Sequence, residues 1–175
     1  MASVSLILVV ILLGLQPVFS SRTPQTRTRV PPDTLITLQR FQDIFGNGIN
    51  YKVSLSSDGT LVFSRLNDFR TPDAKAPDSI QTKVAVQKVA QLLAEFERIK
   101  YFSLKDSYAI ADDGCPAEIT DQGGAITSLT LESKTKTIYH NYGCRLHPDS
   151  PIYPEPLTDL ERKIDEITET KQWLK

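Results

Sequence analysis

Alternation of apolar and polar side chains is clearest between residues 50 and 65. Val53, Leu55, Leu61 and Phe63 share one period-two pattern, broken by Ser57-Asp58-Gly59. A two-residue turn at Asp58-Gly59 would set Ser54 against Phe63 and Ser56 against Leu61. A three-residue loop sets Val53 against Phe63 and Leu55 against Leu61, which gathers the apolar residues on one face. The pattern therefore predicts strands over 50–56 and 60–65, with Gly59 at the left-handed bulge position. Residues 35–41, with β-branched Ile36 and Thr37, predict a preceding strand. Between them, 43–50 carries Gly46, Asn47, Gly48 and Asn50, a turn-rich loop.

The period then changes. Residues 66–82 hold Pro72, Pro77 and three aspartates with little periodicity and read as an exposed connection. From 84 to 99 the apolar positions Val86, Val89, Leu93 and Phe96 step by three and four, an amphipathic helix. Residues 100–125 read mostly as loop. Strands over 126–132 and 135–142 form a second hairpin. Any even loop at Ser133-Lys134 puts Leu129 and Leu131 on the face of Ile138, His140 and Tyr142. Residues 145–156, with Pro148, Pro151, Pro154 and Pro156, read as a stiff connector. Residues 157–173 predict a last helix with Leu157, Leu160, Ile164 and Ile167 along one side. The order β-β-β-α-β-β-α implies an α+β fold: an antiparallel sheet of about five strands with two amphipathic helices on one face.

The amino-terminal residues follow neither period. Residues 1–20 carry no charged side chain, and 6–13 is an unbroken apolar run. It is shorter than the ~20 residues a bilayer span requires, so it reads as a secretory signal. Val18 and Ser20 are small enough for the −3 and −1 positions of a cut before Ser21. The competing reading is an uncleaved anchor, favoured by the lack of Lys or Arg ahead of the apolar run. Residues 21–33, with Arg22, Arg27, Arg29, Pro24 and Pro31-Pro32, read as a disordered tether. The expected organisation is a signal peptide at 1–20, the tether at 21–33 and a single domain at 34–175. The destination is the periplasm or the exterior, with no transmembrane span in the mature chain.

Several local sequences occur in a recognisable series: Ile36-Thr37-Leu38-Gln39-Arg40, Phe45-Gly46, Tyr51-Lys52-Val53, Asp58-Gly59-Thr60, Ala94-Glu95-Phe96 and 101–108. Thr127 to Leu131, Lys134-Thr135-Lys136 and 160–173 continue it. This series resembles a family of small secreted bacterial proteins that is a domain of unknown function. That family reads R-x-x-C-F-G-x-C-P-x-Y; here Ile44 and Gly48 stand at its two Cys places, so no role of that Cys pair carries over. The resemblance implies an exported α+β protein and no activity.

Charge and chemistry narrow the reading further. Twenty Lys and Arg against 21 Asp and Glu leave no bulk basic field, which excludes nucleic acid as a partner. Cys115 and Cys144 are the two cysteines. In an oxidising compartment they are expected to form a disulfide that pins the long loop to the end of the sheet. His140 falls on the apolar face and reads as a hydrogen-bonded core residue, while His147 sits in a loop. Without H-x-x-x-H or H-E-x-x-H spacing, no metal site is expected, and no cofactor. There is no G-x-S-x-G elbow. Gly46-Asn47-Gly48 opens a strand, where a phosphate loop would open a helix.

Two functional readings remain. One is a non-enzymatic module that binds an envelope or extracellular component. Its contact loop would use Phe41, Phe45, Asn47 and Tyr51, since aromatics beside Gly and Asn suit carbohydrate or peptide. The other is a hydrolase of cell-wall or extracellular polymer built on Asp112, Asp113 and His140.

Overall fold

A computed structural model describes residues 30–43, 49–66, 79–109 and 113–174. The signal segment 1–20, most of the tether, Phe45, Asn47 and Asp112 lie outside the described residues. Among those described, the strands are β1 (Leu35–Phe41), β2 (Tyr51–Ser56), β3 (Thr60–Arg65), β4 (Ser79–Lys83), β5 (Ser107–Tyr108), β6 (Ala117–Glu118), β7 (Gly124–Leu131), β8 (Lys134–Asn141) and β9 (Cys144–Arg145). The helices are α1 (Val86–Arg98) and α2 (Glu155–Thr168), each followed by a short 3-10 turn, Tyr101–Ser103 and Thr170–Trp173.

The main sheet has seven strands in the order β4-β3-β2-β1-β7-β8-β5, and β6 pairs with β9 in a second, small sheet. The expected five strands are present; β4 and β5 extend them at the two edges. Residues 79–82 were expected to be connection and Lys83 to lie at the start of the helix; all five side chains of β4 are exposed, so no alternation marks the strand. β5 is two residues long and pairs parallel with β8, against the expectation of a wholly antiparallel sheet.

Both hairpin registers follow from face parity. Val53 faces Phe63 and Leu55 faces Leu61. Gly59 has φ +79°, and a Cβ there would lie 2.1 Å from the Val84 carbonyl oxygen, so only glycine fits. In the second hairpin Leu131 faces Lys134, leaving a two-residue turn with Glu132 and Ser133 at φ 50° and 63°, one residue before the expected Ser133-Lys134.

Ile36, Leu38, Val53, Leu55, Leu61, Phe63, Leu129 and Ile138 all project from one sheet face. They share one core with Val89, Leu92 and Phe96 of α1 and Leu157, Leu160, Ile164 and Ile167 of α2. The opposite face carries Thr37, Ser54, Ser64, Ser128, Thr130, Thr135 and Thr137, several joined by cross-strand hydroxyl contacts.

The helix limits differ from those expected. α1 starts at Val86 because Lys83 still belongs to β4 and Ala85 is extended. α2 starts at Glu155, inside the expected connector; Pro156 falls in its first turn, where a missing N–H costs nothing. It stops at Glu169, whose left-handed φ of 53° ends the helix before Trp173. Val30 packs partly buried against the core, and the Asp33 carboxylate accepts the backbone N–H groups of Glu132 and Ser133. Residues 30–33 thus cross to the β7–β8 turn. The disulfide joins Cys115 to Cys144 with Cα atoms 5.4 Å apart, as the sequence predicts.

Candidate functional site

Parity and helix spacing bring charged residues together inside the fold. Arg40 is the last inward position of β1, paired with Tyr51 of β2 and Ala125 of β7. Above it, Glu161 and Asp165 of α2 are four residues apart and so share a helix face. The Arg40 Nε and Nη2 donate to Asp165 Oδ2 at 3.0 and 2.7 Å, and Nη1 donates to Glu161 Oε2 at 3.4 Å. The Tyr51 hydroxyl donates to Asp165 Oδ1 at 2.7 Å, as does that of Thr170 at 3.2 Å. Burial opposes the charge of Arg40, but Asp165 and Glu161 outweigh it and raise its pKa. Burial first, then the Asp165 carboxylate, push the Tyr51 phenol well above its ordinary value.

Glu161 is fully buried and is the hub of the cluster. Its Oε1 accepts from Thr127 Oγ1 at 3.2 Å and lies 3.0 Å from His140 Nδ1; its Oε2 also accepts from the Tyr142 hydroxyl at 2.9 Å. His140 is equally buried, and its Nε2 lies 3.1 Å from the carbonyl oxygen of Tyr153. A carbonyl only accepts, so Nε2 carries a hydrogen. One further proton must then lie between Nδ1 and Oε1. Three other donors already converge on Glu161, a set that suits a carboxylate, so the proton belongs on the imidazole. Arg40 and His140 then balance Glu161 and Asp165, and the cluster is neutral.

A cavity of about 400 Å³ opens beside this cluster, lined by Arg40, Ile49, Tyr51, Gly123, Tyr142 and Leu174 among others. The guanidinium lies 5.3 Å from the Tyr142 ring centroid. Three of its five N–H groups are committed to Asp165 and Glu161, which leaves two for an acceptor. The walls combine ring and aliphatic carbon over a polar floor, a composition that suits a bound ligand.

The expected contact loop is brought only partly to this cavity. Phe41 and Tyr51 both border it, and the Gln42 N–H donating to Asn50 Oδ1 at 2.8 Å closes the described ends of the loop. The two rings sit on opposite sheet faces. Phe41 stacks on Tyr139, its ring lying where a Cβ on Gly124 would be, while Tyr51 stacks on Phe63 within the core.

Of the hydrolase residues, His140 is enclosed, and Asp113 accepts from the Ser107 hydroxyl at 2.8 Å. His147 is exposed. Among the described residues no cluster of three or more His, Cys, Asp or Glu could hold a metal, and no helix is long and apolar enough to cross a membrane. The proline-rich connector is strapped down: Ile152 bridges Arg145, and Tyr153 N–H donates to the Cys144 carbonyl.

Sequence reasoning placed His140 in the core but missed Arg40, Glu161 and Asp165, because isolated charges ordinarily read as solvated. One signal was present: Glu161 interrupts the apolar stripe of Leu157, Leu160 and Ile164.

A family model described as Domain of unknown function (DUF6438) matches residues 35–168, from the first residue of β1 to the last of α2. No curated protein matches the chain.

Proposed function

We propose a function from the premise that the chain belongs to this family of unknown function, so that the site itself must carry the reading. The protein is an exported, non-enzymatic module that holds an envelope or extracellular component in the cavity beside Arg40. The observation that carries this reading is the cavity itself, with its Tyr51 and Tyr142 walls and its charge-balanced floor. The apolar, charge-free start of the chain and the buried disulfide support export to an oxidising compartment. Of the contact loop expected from the sequence, Phe41 and Tyr51 line this cavity, and Phe45 and Asn47 lie outside the described residues.

The hydrolase reading is less well supported. Its base would be His140, whose two ring nitrogens both face acceptors inside the core and reach no solvent. Asp165 is bonded to Arg40 and Tyr51 of the cavity wall, but its carboxylate already accepts four hydrogen bonds.

The test is an NMR titration of the secreted protein with soluble cell-wall glycans and peptides, repeated on Ile49→Asp and Leu174→Asp. Shifts at Arg40 Nε, Gly123 and Tyr142 that both rim variants abolish are expected. Binding that maps elsewhere, or that both variants leave intact, refutes the cavity. Release of cleaved fragments would favour the hydrolase.

A further inference from the structure

β4 ends the sheet, and no described residue pairs with its outer edge. The Val84 N–H donates to the Gly59 carbonyl at 2.9 Å, and residues 59 and 84 fall in the β3–β4 register. Hydrogen-bonded pairs alternate along an antiparallel ladder, so Thr82 and Ile80 exchange bonds with β3. Ser79, Gln81 and Lys83 therefore turn their main-chain N–H and C=O groups outward. No described residue bonds to those groups.

Sheet edges are ordinarily blunted by proline, a bulge, an inward charge or a covering loop. Among the described residues β4 has none of these. Its one charge, Lys83, folds back on its own hairpin: Nζ donates to Asp58 Oδ2 at 2.6 Å and to Thr60 Oγ1 at 2.7 Å. On the helix-covered side, Ile80 remains 38% exposed and Val86, at the start of α1, 41%.

We propose that β4 pairs antiparallel with β4 of a second copy, about a two-fold axis through Gln81. This register is self-complementary. Gln81 faces Gln81 of the second copy, Lys83 faces its Ser79, and Ile80 faces its Thr82. No like charges oppose one another, and each of the three outward-facing residues exchanges main-chain bonds with its counterpart. Ile80 gains a β-branched neighbour on the side where it is exposed. A contact of five residues per copy is smaller than the ~1,200 Å² of a stable interface, so the dimer is weak and concentration-dependent.

Sedimentation velocity from micromolar to millimolar protein is expected to show a mass rising toward that of a dimer. Amide exchange at Gln81 and Lys83 should slow over the same range. Gln81→Lys sets two ammonium groups across the axis and should weaken pairing about threefold to fivefold. Gln81→Pro removes only an outward N–H and should weaken it about tenfold. Both variants should melt with the wild type at low concentration; if the proline variant fails to fold, Gln81→Lys and the exchange data decide. A protein that stays monomeric throughout overturns the proposal. So does a dimer that neither substitution weakens, or an edge that captures only unrelated extended peptides.

Discussion

Replacing His140 by alanine is the sharpest test of the buried cluster. The imidazole is fully enclosed and bridges Glu161 Oε1 to the Tyr153 carbonyl. Its removal leaves a ring-sized void, a carbonyl without its donor and a buried carboxylate whose remaining cationic contact is Arg40, at 3.4 Å. Breaking a buried pair from one side costs about 3–5 kcal/mol, most of it the penalty of the stranded charge. For a domain of this size that corresponds to a fall of about 10 °C or more in Tm.

Glu161→Gln separates charge from geometry. With the amide nitrogen at the Oε1 position, it donates to Nδ1 of a neutral imidazole and to the Thr127 hydroxyl. The amide oxygen still accepts from Tyr142 and Arg40. Only the Thr127 hydroxyl proton loses its acceptor, and Arg40 keeps Asp165, so the expected cost is about 1–2 kcal/mol. The assay is thermal unfolding followed by fluorescence of Trp173, the single tryptophan, whose ring centroid lies 5.0 Å from that of Phe63. Adding Glu161→Gln to His140→Ala should recover part of the loss, because the stranded charge disappears. If His140→Ala melts within a degree of the wild type, or Glu161→Gln costs as much, the proton accounting is wrong.

Three other perturbations probe separate parts of the fold. The Tyr51 and Tyr101 phenols are both raised, chiefly by burial, so they ionise more readily in the unfolded chain; their contribution is complete below pH ~10 and is lost as pH rises beyond it. Tyr51→Phe should therefore flatten the alkaline fall in stability, and an unchanged slope in urea melts above pH ~10 would contradict this. The Cys115–Cys144 closure, 29 residues apart, should contribute about 3–4 kcal/mol, measured as the loss in the double alanine variant; two alkylatable thiols in the untreated native protein would count against the bond. Asp33→Ala removes the acceptor for the Glu132 and Ser133 N–H groups and should cost about 1 kcal/mol; equal melting with the wild type would show that the contact contributes nothing.

How far the sequence could be read depended on which side chains met the core. The register of the first hairpin and the face parity of the second were legible because Val53, Leu55, Leu61, Phe63, Leu129 and Ile138 are all buried on one face, so a one-residue slip would have reversed them; the second turn lies one residue earlier than expected. His140 was legible by the same parity. β4 was not, because all five of its side chains stay largely exposed and burial leaves no trace in Ser79–Lys83. β5 is too short to show a period at all. The end of α2 was hidden because Glu169 takes a left-handed conformation without the glycine that usually marks one. Arg40, Glu161 and Asp165 were hidden for a different reason: their meeting depends on how α2 lies across β1 and β2, which no local pattern encodes.

That arrangement bears on how the site can vary. Arg40 is at once the polar floor of the cavity and a donor to both carboxylates of α2, and Tyr51 and Tyr142 are tied to the same two groups. Changing any of them to suit a different ligand would leave the buried Glu161 or the partly buried Asp165 short of a donor, at a cost of about 1–3 kcal/mol for each lost partner. Against the 5–15 kcal/mol that keeps a domain folded, few such changes are tolerable together. The rim carries no such constraint. Ile49 and Leu174 are half-buried, with no side-chain hydrogen bond to lose. Ligand preference should therefore be adjustable at the rim and fixed at the floor. Saturation mutagenesis scored separately for folding and for ligand binding would show it: substitutions at 40, 51 and 142 should lose both together, and those at 49 and 174 should alter binding while the protein still folds. Floor substitutions that fold normally but lose binding would mean that the cluster serves the ligand alone.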